Sequence, residues 1–289
     1  MNSLQKALMQ FRLNRLEMRF RAIQNSERRR LTSNPSASEV LNHLQRSGKQ
    51  LVDAIDNTVA QTFADAYNEQ LRDIEGQLRL EGVNARLAPQ RTNTELLEGL
   101  YDEYPSFYEK RGYKRLRIED KKGQRAYKSA IRAQIEANTH DGNIAWRIVF
   151  NAMLLYQLRR ARANARTNVR RAQEYAKHLC CEDLNKNLGI PTEKEWDSVL
   201  IETTRDAHEI AHGQRVPIEG YFDVGGERLR FPLDQKGSAR NIINCLCSVR
   251  YRVKRPTGGW RTTERRIRQQ SENMRRVVST RSTTVNINL

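Results

Sequence analysis

Apolar side chains in the first two-thirds of this chain recur at steps of three and four residues, the spacing of one face of an α-helix. The pattern runs over 4–31, over 38–80 and over 123–188, with a break expected at 140–143. Residues that end helices are scarce, because the 289-residue chain contains 15 Gly and 7 Pro. The sequence therefore predicts long amphipathic helices as the main elements of the fold.

The pattern changes in the C-terminal third, where short stretches alternate between polar and apolar residues. A β-hairpin is predicted over 216–232, with Gly225-Gly226 as its two-residue turn, and 245–253 predicts a further strand. The stretch 192–195 has the Thr-x-x-Glu pattern of a capping box, which predicts a helix start there. The predicted fold class is α+β and predominantly α-helical, with long amphipathic helices followed by a small C-terminal helix-plus-β-hairpin domain.

These patterns divide the chain into four segments. Residues 1–33 predict a basic amphipathic helix, and 36–125 predicts a helical region with an insert of interleaved aromatic and basic side chains. Residues 126–253 predict a compact domain built from a long helix, the segment around Trp196, the hairpin and a closing Cys-x-Cys. Residues 254–289 are basic and poor in apolar side chains, so we expect a flexible tail. No apolar run is long enough to predict a membrane segment.

The net charge of +17 is concentrated at the two ends of the chain. Residues 1–30 carry eight Arg and Lys against two Glu, and residues 248–289 carry eleven against two. The two ends therefore have net charges of +6 and +9. Basic arms of this kind indicate a polyanion such as nucleic acid, or an acidic protein surface, as the partner. A solvated helix face with no partner has the same composition.

The four cysteines form two close pairs, Cys180-Cys181 and Cys245-x-Cys247. Neighbouring cysteines bridge each other poorly, because disulfide geometry is restrictive. The spacing is therefore not typical of a secreted disulfide framework, and it favours reduced thiols or a metal site.

The string His-Glu-Ile-Ala-His at 208–212 matches the signature of a zinc metallopeptidase helix. In that interpretation His208 and His212 bind zinc and Glu209 acts as the general base. Gly213 follows the second histidine at once, however, and no convincing third ligand comes after it. The peptidase is therefore kept as an alternative to a structural role.

Residues 150–252 also contain an ordered set of short motifs. In chain order these are Arg166-Thr167 on a basic helix, Trp196, Arg205-x-x-His208, Gly213, Phe222, Gly225-Gly226, Pro232-x-Asp234 and Asn244-Cys245-Leu246-Cys247. Their order and spacing resemble the phage Mu F-like minor head proteins, also called the phage head morphogenesis family. Each motif alone is weak, and the order makes the resemblance specific. The chain departs from the family at His212, where members usually have Asp, and at Leu246, where they usually have Arg.

The resemblance implies a structural minor head protein of a tailed bacteriophage that acts in head assembly at or near the portal and is not an enzyme. Such a protein is made in the host bacterial cytoplasm and resides in the virion, in the capsid interior or at the portal vertex. Its expected partners are portal and capsid proteins and the packaged double-stranded DNA, whose packaging or ejection it would influence. Candidate contacts to DNA or portal are Arg261, Arg265, Arg266 and Arg268. The alternative functions are the zinc metallopeptidase and a nucleic-acid-binding module.

The resemblance also implies zinc character, because some family members carry Cys-x-x-Cys where this chain has Arg205-x-x-His208. His208, Cys245 and Cys247 are therefore candidate zinc ligands, one short of a closed structural site. The candidates for the fourth ligand are His212, Asp206 and Cys180. The alternative requires no cofactor: the cysteines are small buried residues, and His208 makes a structural hydrogen bond to the hairpin. Under both interpretations these residues tie the hairpin to the preceding helix.

Overall fold

The computed structural model describes residues 3–103, 121–137 and 145–284. Long helices dominate it and a small antiparallel sheet and a hairpin follow, which confirms the predicted fold class. In chain order the elements are α1 (Ser3–Arg30), α2 (Ala37–Leu80), α3 (Asn93–Glu103), α4 (Lys121–Ala137), α5 (Trp146–Leu188), β1 (Thr192–Asp197), α6 (Asp206–Ala211), β2 (Arg215–Pro217), β3 (Phe222–Val224), β4 (Glu227–Leu229), α7 (Ala239–Ile242), β5 (Ser248–Val253) and α8 (Arg261–Thr284). Among the described helices, none combines the length and the apolar character needed to cross a membrane. The predicted break at 140–143 and most of the aromatic and basic insert lie outside the described residues.

Local sequence signals set the ends of α2. The Ser36 Oγ accepts a hydrogen bond from the Glu39 N–H at 3.1 Å, which is the interaction that caps a helix N-terminus. The Glu39 carboxylate in turn accepts hydrogen bonds from the N–H and the hydroxyl of Thr32, each at 2.9 Å. At the other end, Gly82 has a φ of +81°, the left-handed conformation that commonly follows a helix. The predicted helix over 38–80 is therefore confirmed to within one residue.

One compact unit, called here the helical unit, consists of Asn2–Thr62 and Leu97–Ala172. Its core cluster contains Leu31, Val40, Leu44, Val149, Phe150, Met153 and Leu154. Buried amides also link its helices, since Gln24 Nε2 donates to the Leu154 carbonyl at 2.5 Å and Gln157 Nε2 donates to the Leu44 carbonyl at 2.8 Å. Because these bonds offset part of the cost of burying polar groups, they specify which helix surfaces meet.

The other compact unit, called here the mixed unit, consists of Phe63–Leu96 and Gln173–Leu289. Its three-stranded antiparallel sheet has the order β2-β1-β5, so that β1 lies in the centre. Lys194 on β1 pairs with Val216 on one side and with Tyr251 on the other. The segments predicted from the sequence follow chain order, whereas each compact unit combines two separate stretches.

The predicted helix start at 192–195 is wrong, because these residues begin strand β1. Lys194 and Trp196, two positions apart, are both fully buried, as the two-residue period of a strand allows. The Glu195 carboxylate does not cap a helix and instead pairs with Arg215 on β2, at an N–O distance of 2.8 Å. Pairing with distant strands therefore overrides the local capping signal.

Gly225 and Gly226 form the predicted turn between β3 and β4, with φ of +62° and +79°. Two consecutive positive φ values are typical of the type I′ turn, whose twist matches that of a two-residue hairpin. The hairpin pairs Phe222 with Leu229. It is narrower than the predicted 216–232, because β2 pairs with β1 instead.

The expectation of a flexible tail over 254–289 has to be corrected for residues 261–284, which form helix α8. Trp260, Thr263 and Ile267, which lie one helical turn apart, are all buried. The Thr263 hydroxyl also donates a hydrogen bond to the carbonyl of Gly189 at 3.1 Å. A few anchoring residues thus order a segment whose overall composition is strongly basic.

The Lys194 side chain is fully buried at the centre of the sheet. Its Nζ donates a hydrogen bond to the Arg230 carbonyl at 3.0 Å and lies 5.5 Å from the centre of the Phe222 ring. Burial lowers the pKa of this lysine to about 8, with Arg230 adding to the effect and Glu182 opposing it. The folded protein therefore binds the Lys194 proton more weakly than the unfolded chain does.

We predict that Lys194 makes the mixed unit more stable as the pH rises from about 8 to about 10.5. Over that window the folded state has lost the lysine proton while the unfolded chain still holds it, so the penalty of burying a charge disappears. Relative to the Lys194→Met variant, the free energy of unfolding should rise by up to about 3 kcal/mol. Urea denaturation at a series of pH values measures this difference, and Lys236→Met, which removes an exposed lysine, is the matched control. Parallel profiles for wild type and Lys194→Met would contradict the prediction.

Candidate metal centre

Three side chains from separate stretches of the mixed unit meet beside α6. His208 lies on α6, whereas Cys245 and Cys247 lie in the segment between α7 and β5. Asn244 precedes the cysteines with a φ of +57°, a left-handed conformation that Asn tolerates better than most residues. Both cysteines are buried, while Leu246 between them is 45% exposed. Side chains alternate between the two sides of an extended segment, so both thiols face the histidine while Leu246 faces away.

The distances within this group match those of a metal site. The His208 Nδ1 lies 3.2 Å from the Cys247 Sγ and 3.5 Å from the Cys245 Sγ. All ligand atoms of the group are within 4.8 Å of one another, and the three residues are 2–3% exposed. Metal–nitrogen and metal–sulfur bonds at a tetrahedral zinc ion imply an N–S separation of about 3.6 Å. The group His208, Cys245 and Cys247 can therefore hold a metal ion.

Trp196 and Ser198 position the histidine. The Trp196 Nε1 donates a hydrogen bond to the Ser198 Oγ at 3.1 Å, and this hydroxyl donates to the backbone carbonyl of His208. The Trp196 and His208 rings meet edge to face, with their centres 5.8 Å apart. The Cys247 Sγ lies 3.5 Å from the Ser198 Oγ. Trp196 is therefore a core anchor, and the serine connects it to the histidine and to one cysteine.

The environment of Cys247 favours its ionised form. The hydrogen bond with Cys245 is the largest cause, and bonds with His208 and Ser198 add to it, so that the pKa of Cys247 falls to about 4 although burial opposes the shift. The thiolate is the form of cysteine that binds metals. Cys180 differs, because burial raises the pKa of its thiol well above the usual range.

The three predicted fourth ligands do not join the group. His212 is exposed, and its Nδ1 accepts a hydrogen bond from the Ser198 N–H at 3.1 Å. Asp206 is exposed in the first turn of α6. Cys180 is fully buried in α5, where Cys181 and Asp183 are among the groups that act on its pKa. Within the described residues, the metal-binding group thus has three members.

The structure does not assemble the peptidase constellation in the stretch 208–212. Helix α6 ends at Ala211, and His212 has a ψ of +130°, which is outside the helical region. His208 is buried against the cysteines, whereas His212 is exposed. Glu209 is also exposed. The two histidines consequently do not form the shared helical face on which a peptidase binds zinc.

The four predicted contact arginines lie on α8, and all of them are exposed. Arg261, Arg265 and Arg268 follow one another at steps of four and three residues, so they share one face of the helix. Arg268 lies 4.0 Å from Glu264 on the same helix. Arg266 lies against Gly189, because a Cβ placed on that glycine would be 2.5 Å from a guanidinium nitrogen. The tail arginines therefore form an ordered basic surface.

Two residues that shape this region had not been assigned a role from the sequence. Ser198 links Trp196 to His208, but a serine after a strand is unremarkable in a sequence. Asp234 belongs to the Pro-x-Asp motif, yet its role became visible only in the fold: it is fully buried and accepts hydrogen bonds from the N–H and the Nε of Arg230, at 3.1 and 3.0 Å. Both act through contacts that the sequence order does not reveal.

Comparison of the chain with protein-family models, with curated proteins and with solved structures found no match. The resemblance to the Mu F-like minor head proteins therefore rests on the ordered motifs of residues 150–252.

We predict that the chain binds one divalent, thiol-seeking metal ion through this group. His208→Ala and Cys247→Ser should each weaken binding at least about 100-fold, because each removes one of three ligands. His212→Ala and Asp206→Asn change exposed residues outside the group, so they should retain the wild-type affinity. Competition with a chromophoric chelator measures the affinities. Equal affinities for His208→Ala and His212→Ala would show that the metal binds elsewhere.

Proposed function

We propose that this chain is a structural minor head protein of a tailed bacteriophage, acting in head assembly at or near the portal and not as an enzyme. The observation that carries the proposal is the convergence of the ordered motifs. Trp196, His208, Phe222 and the two cysteines of the closing motif are spread over some fifty residues of sequence but occupy one small core. Motif residues that pack on each other in this way support a shared structural role.

The hairpin is held to its surroundings by contacts that these motifs supply. Phe222 meets Trp196 edge to face, with ring centres 5.2 Å apart. The Asn241 amide on α7 donates a hydrogen bond to the Val224 carbonyl at 3.0 Å. A Cβ placed on Gly225 would lie 3.0 Å from the Cβ of Ala207 on α6, so the turn approaches that helix closely. This network supports a scaffold in which the hairpin, α6 and α7 act as one body.

Zinc is the metal that best suits the candidate centre. One imidazole nitrogen and two thiols form a borderline-soft donor set. Such a set binds zinc in preference to magnesium or calcium. When bound, zinc would cross-link α6 to the segment before β5. A cross-link of this kind is useful in a domain whose core is small. We therefore include a structural zinc ion in the proposal.

The basic surface of α8 supports contact with packaged DNA or with an acidic face of the portal. Exposed arginines at helical spacing can follow a row of phosphates without reading base sequence. Because these arginines lie on an anchored helix, they lose less conformational entropy on binding than the arginines of a flexible arm would. The proposed partners are therefore portal and capsid proteins together with double-stranded DNA, and the proposed location is the virion.

Particle composition tests the proposed function directly. Tailed particles produced by the host that encodes this chain should contain its peptides when heads and tails are separated and analysed by mass spectrometry. We expect the peptides in the head fraction, at low copy relative to the major shell protein. Absence from purified heads, with the protein present in the lysate, would contradict the proposal.

We predict that the α8 arginines contribute to DNA binding. A variant with glutamine at Arg261, Arg265, Arg266 and Arg268 should bind duplex DNA more weakly. The slope of log affinity against log salt is negative, and its magnitude should decrease by about 3 to 4 at most. The matched control has glutamine at four other exposed arginines of the mixed unit, namely Arg72, Arg79, Arg228 and Arg240. Fluorescence anisotropy at several salt concentrations measures both slopes. An equal loss in both variants would indicate a general effect of net charge and would contradict a specific role for α8.

A further inference from the structure

We infer that the metal centre keeps one coordination position open to an adjacent cleft, and that this position takes a carboxylate from outside the chain, which Arg205 helps to hold. The inference rests on the proposed zinc centre and names a ligand for it. Arg205, which precedes α6, would thereby help to bind the outside carboxylate.

The metal-binding group is one ligand short of a tetrahedral site. Within the described residues, the metal-binding group offers three donor atoms, from His208, Cys245 and Cys247. A tetrahedral ion requires four, and sites with three protein ligands keep the fourth position for a water or a substrate. The nearby Ser198 hydroxyl already accepts from Trp196 and donates to a carbonyl, so it is engaged in the scaffold. The described residues thus leave one position to an outside ligand.

A cleft that opens to solvent is lined by all three ligand residues and by Thr204, Arg205 and Leu246, among others. Each of the three ligands is only 2–3% exposed in total. The cleft that they line is therefore the route by which an outside ligand would reach the metal.

The cleft carries a net positive charge when a divalent ion is bound. Two thiolates neutralise a divalent ion, so the guanidinium of Arg205 leaves the site with a net positive charge. An Arg205 N–H donates to the carbonyl of Ile243, which precedes Asn244 in the lining of the cleft, and this bond restrains the side chain. Guanidinium groups carry five N–H donors in a planar fork that suits carboxylates. A carboxylate can bind the metal with one oxygen and accept from Arg205 with the other.

Two exposed apolar side chains belong to the lining of the cleft. They are Ile201 and Leu246, which are 49% and 45% exposed. Exposed apolar side chains around a polar site are typical of surfaces that bind a partner chain. The carboxylate can therefore come from an acidic side chain of a protein, flanked by apolar residues, or from a small free acid.

The cobalt-substituted protein provides the test, because the visible absorption of cobalt(II) changes when a ligand in its coordination shell is replaced. Titration with acetate should change the spectrum in a saturable way, while acetamide, which has the same shape and no charge, should not. Arg205→Gln should bind the same amount of cobalt but bind acetate about tenfold more weakly or worse, because a charged hydrogen bond is lost.

A second arm distinguishes the source of the carboxylate. The blocked peptide acetyl-Leu-Glu-Leu-amide is compared with acetate, and acetyl-Leu-Gln-Leu-amide is its control. Binding of the glutamate peptide at least tenfold tighter than acetate assigns the position to a protein side chain, and equal affinity assigns it to a small acid.

Three outcomes would overturn the inference, and they differ in what else they affect. If cobalt binds but its spectrum does not respond to acetate, the fourth position is closed. That outcome does not contradict the metal centre itself. An equal response of wild type and Arg205→Gln removes the assigned role of the arginine. Failure to bind cobalt overturns the zinc centre of the proposed function as well.

Discussion

The burial of Trp196 at the centre of the small sheet is the interaction on which the C-terminal fold depends. The side chain is fully buried and meets the hairpin through Phe222 and helix α6 through His208. Its indole N–H donates to Ser198, whose hydroxyl in turn donates to the backbone of α6. A large aromatic ring with one polar atom can supply both apolar area and orientation. The position and direction of the candidate metal ligand on α6 thus follow from the packing of one residue.

The two compact units are stabilised in different ways. The helical unit relies on long amphipathic helices whose apolar side chains form a continuous cluster. The mixed unit has short strands, so ion pairs and buried polar groups supplement its core. Glu195 pairs with arginines on both neighbouring strands, and Asp234 is buried with Arg230. Because such pairs bring only modest net stability, a metal cross-link between α6 and the cysteine segment would complement them.

Much of the architecture could be predicted because it depends on local patterns. The three- and four-residue spacing of apolar side chains predicted the long helices, and Gly225-Gly226 predicted the turn of the hairpin, since few other residues adopt two consecutive positive φ values. Predictions from local patterns failed where contacts between residues distant in the sequence determine the structure. The Thr-x-x-Glu pattern at 192–195 has the form of a helix cap, yet pairing with β2 and β5 made it a strand. Helix α8 was missed because three buried residues anchor it within a strongly basic segment.

The candidate site shows the same division. The sequence by itself determined the residue types: a histidine and two cysteines in a chain poor in both, an alternation that places both thiols on one side, and basic residues gathered at the ends. The tertiary structure decided which of them meet. It brought His208 within 3.2 Å of Cys247, separated His212 from the group, and placed Arg205 at the cleft. The physical reason is that residue spacing along a chain constrains only the local backbone, whereas the approach of side chains about forty residues apart is decided by the packing of Trp196 and the register of the sheet around it.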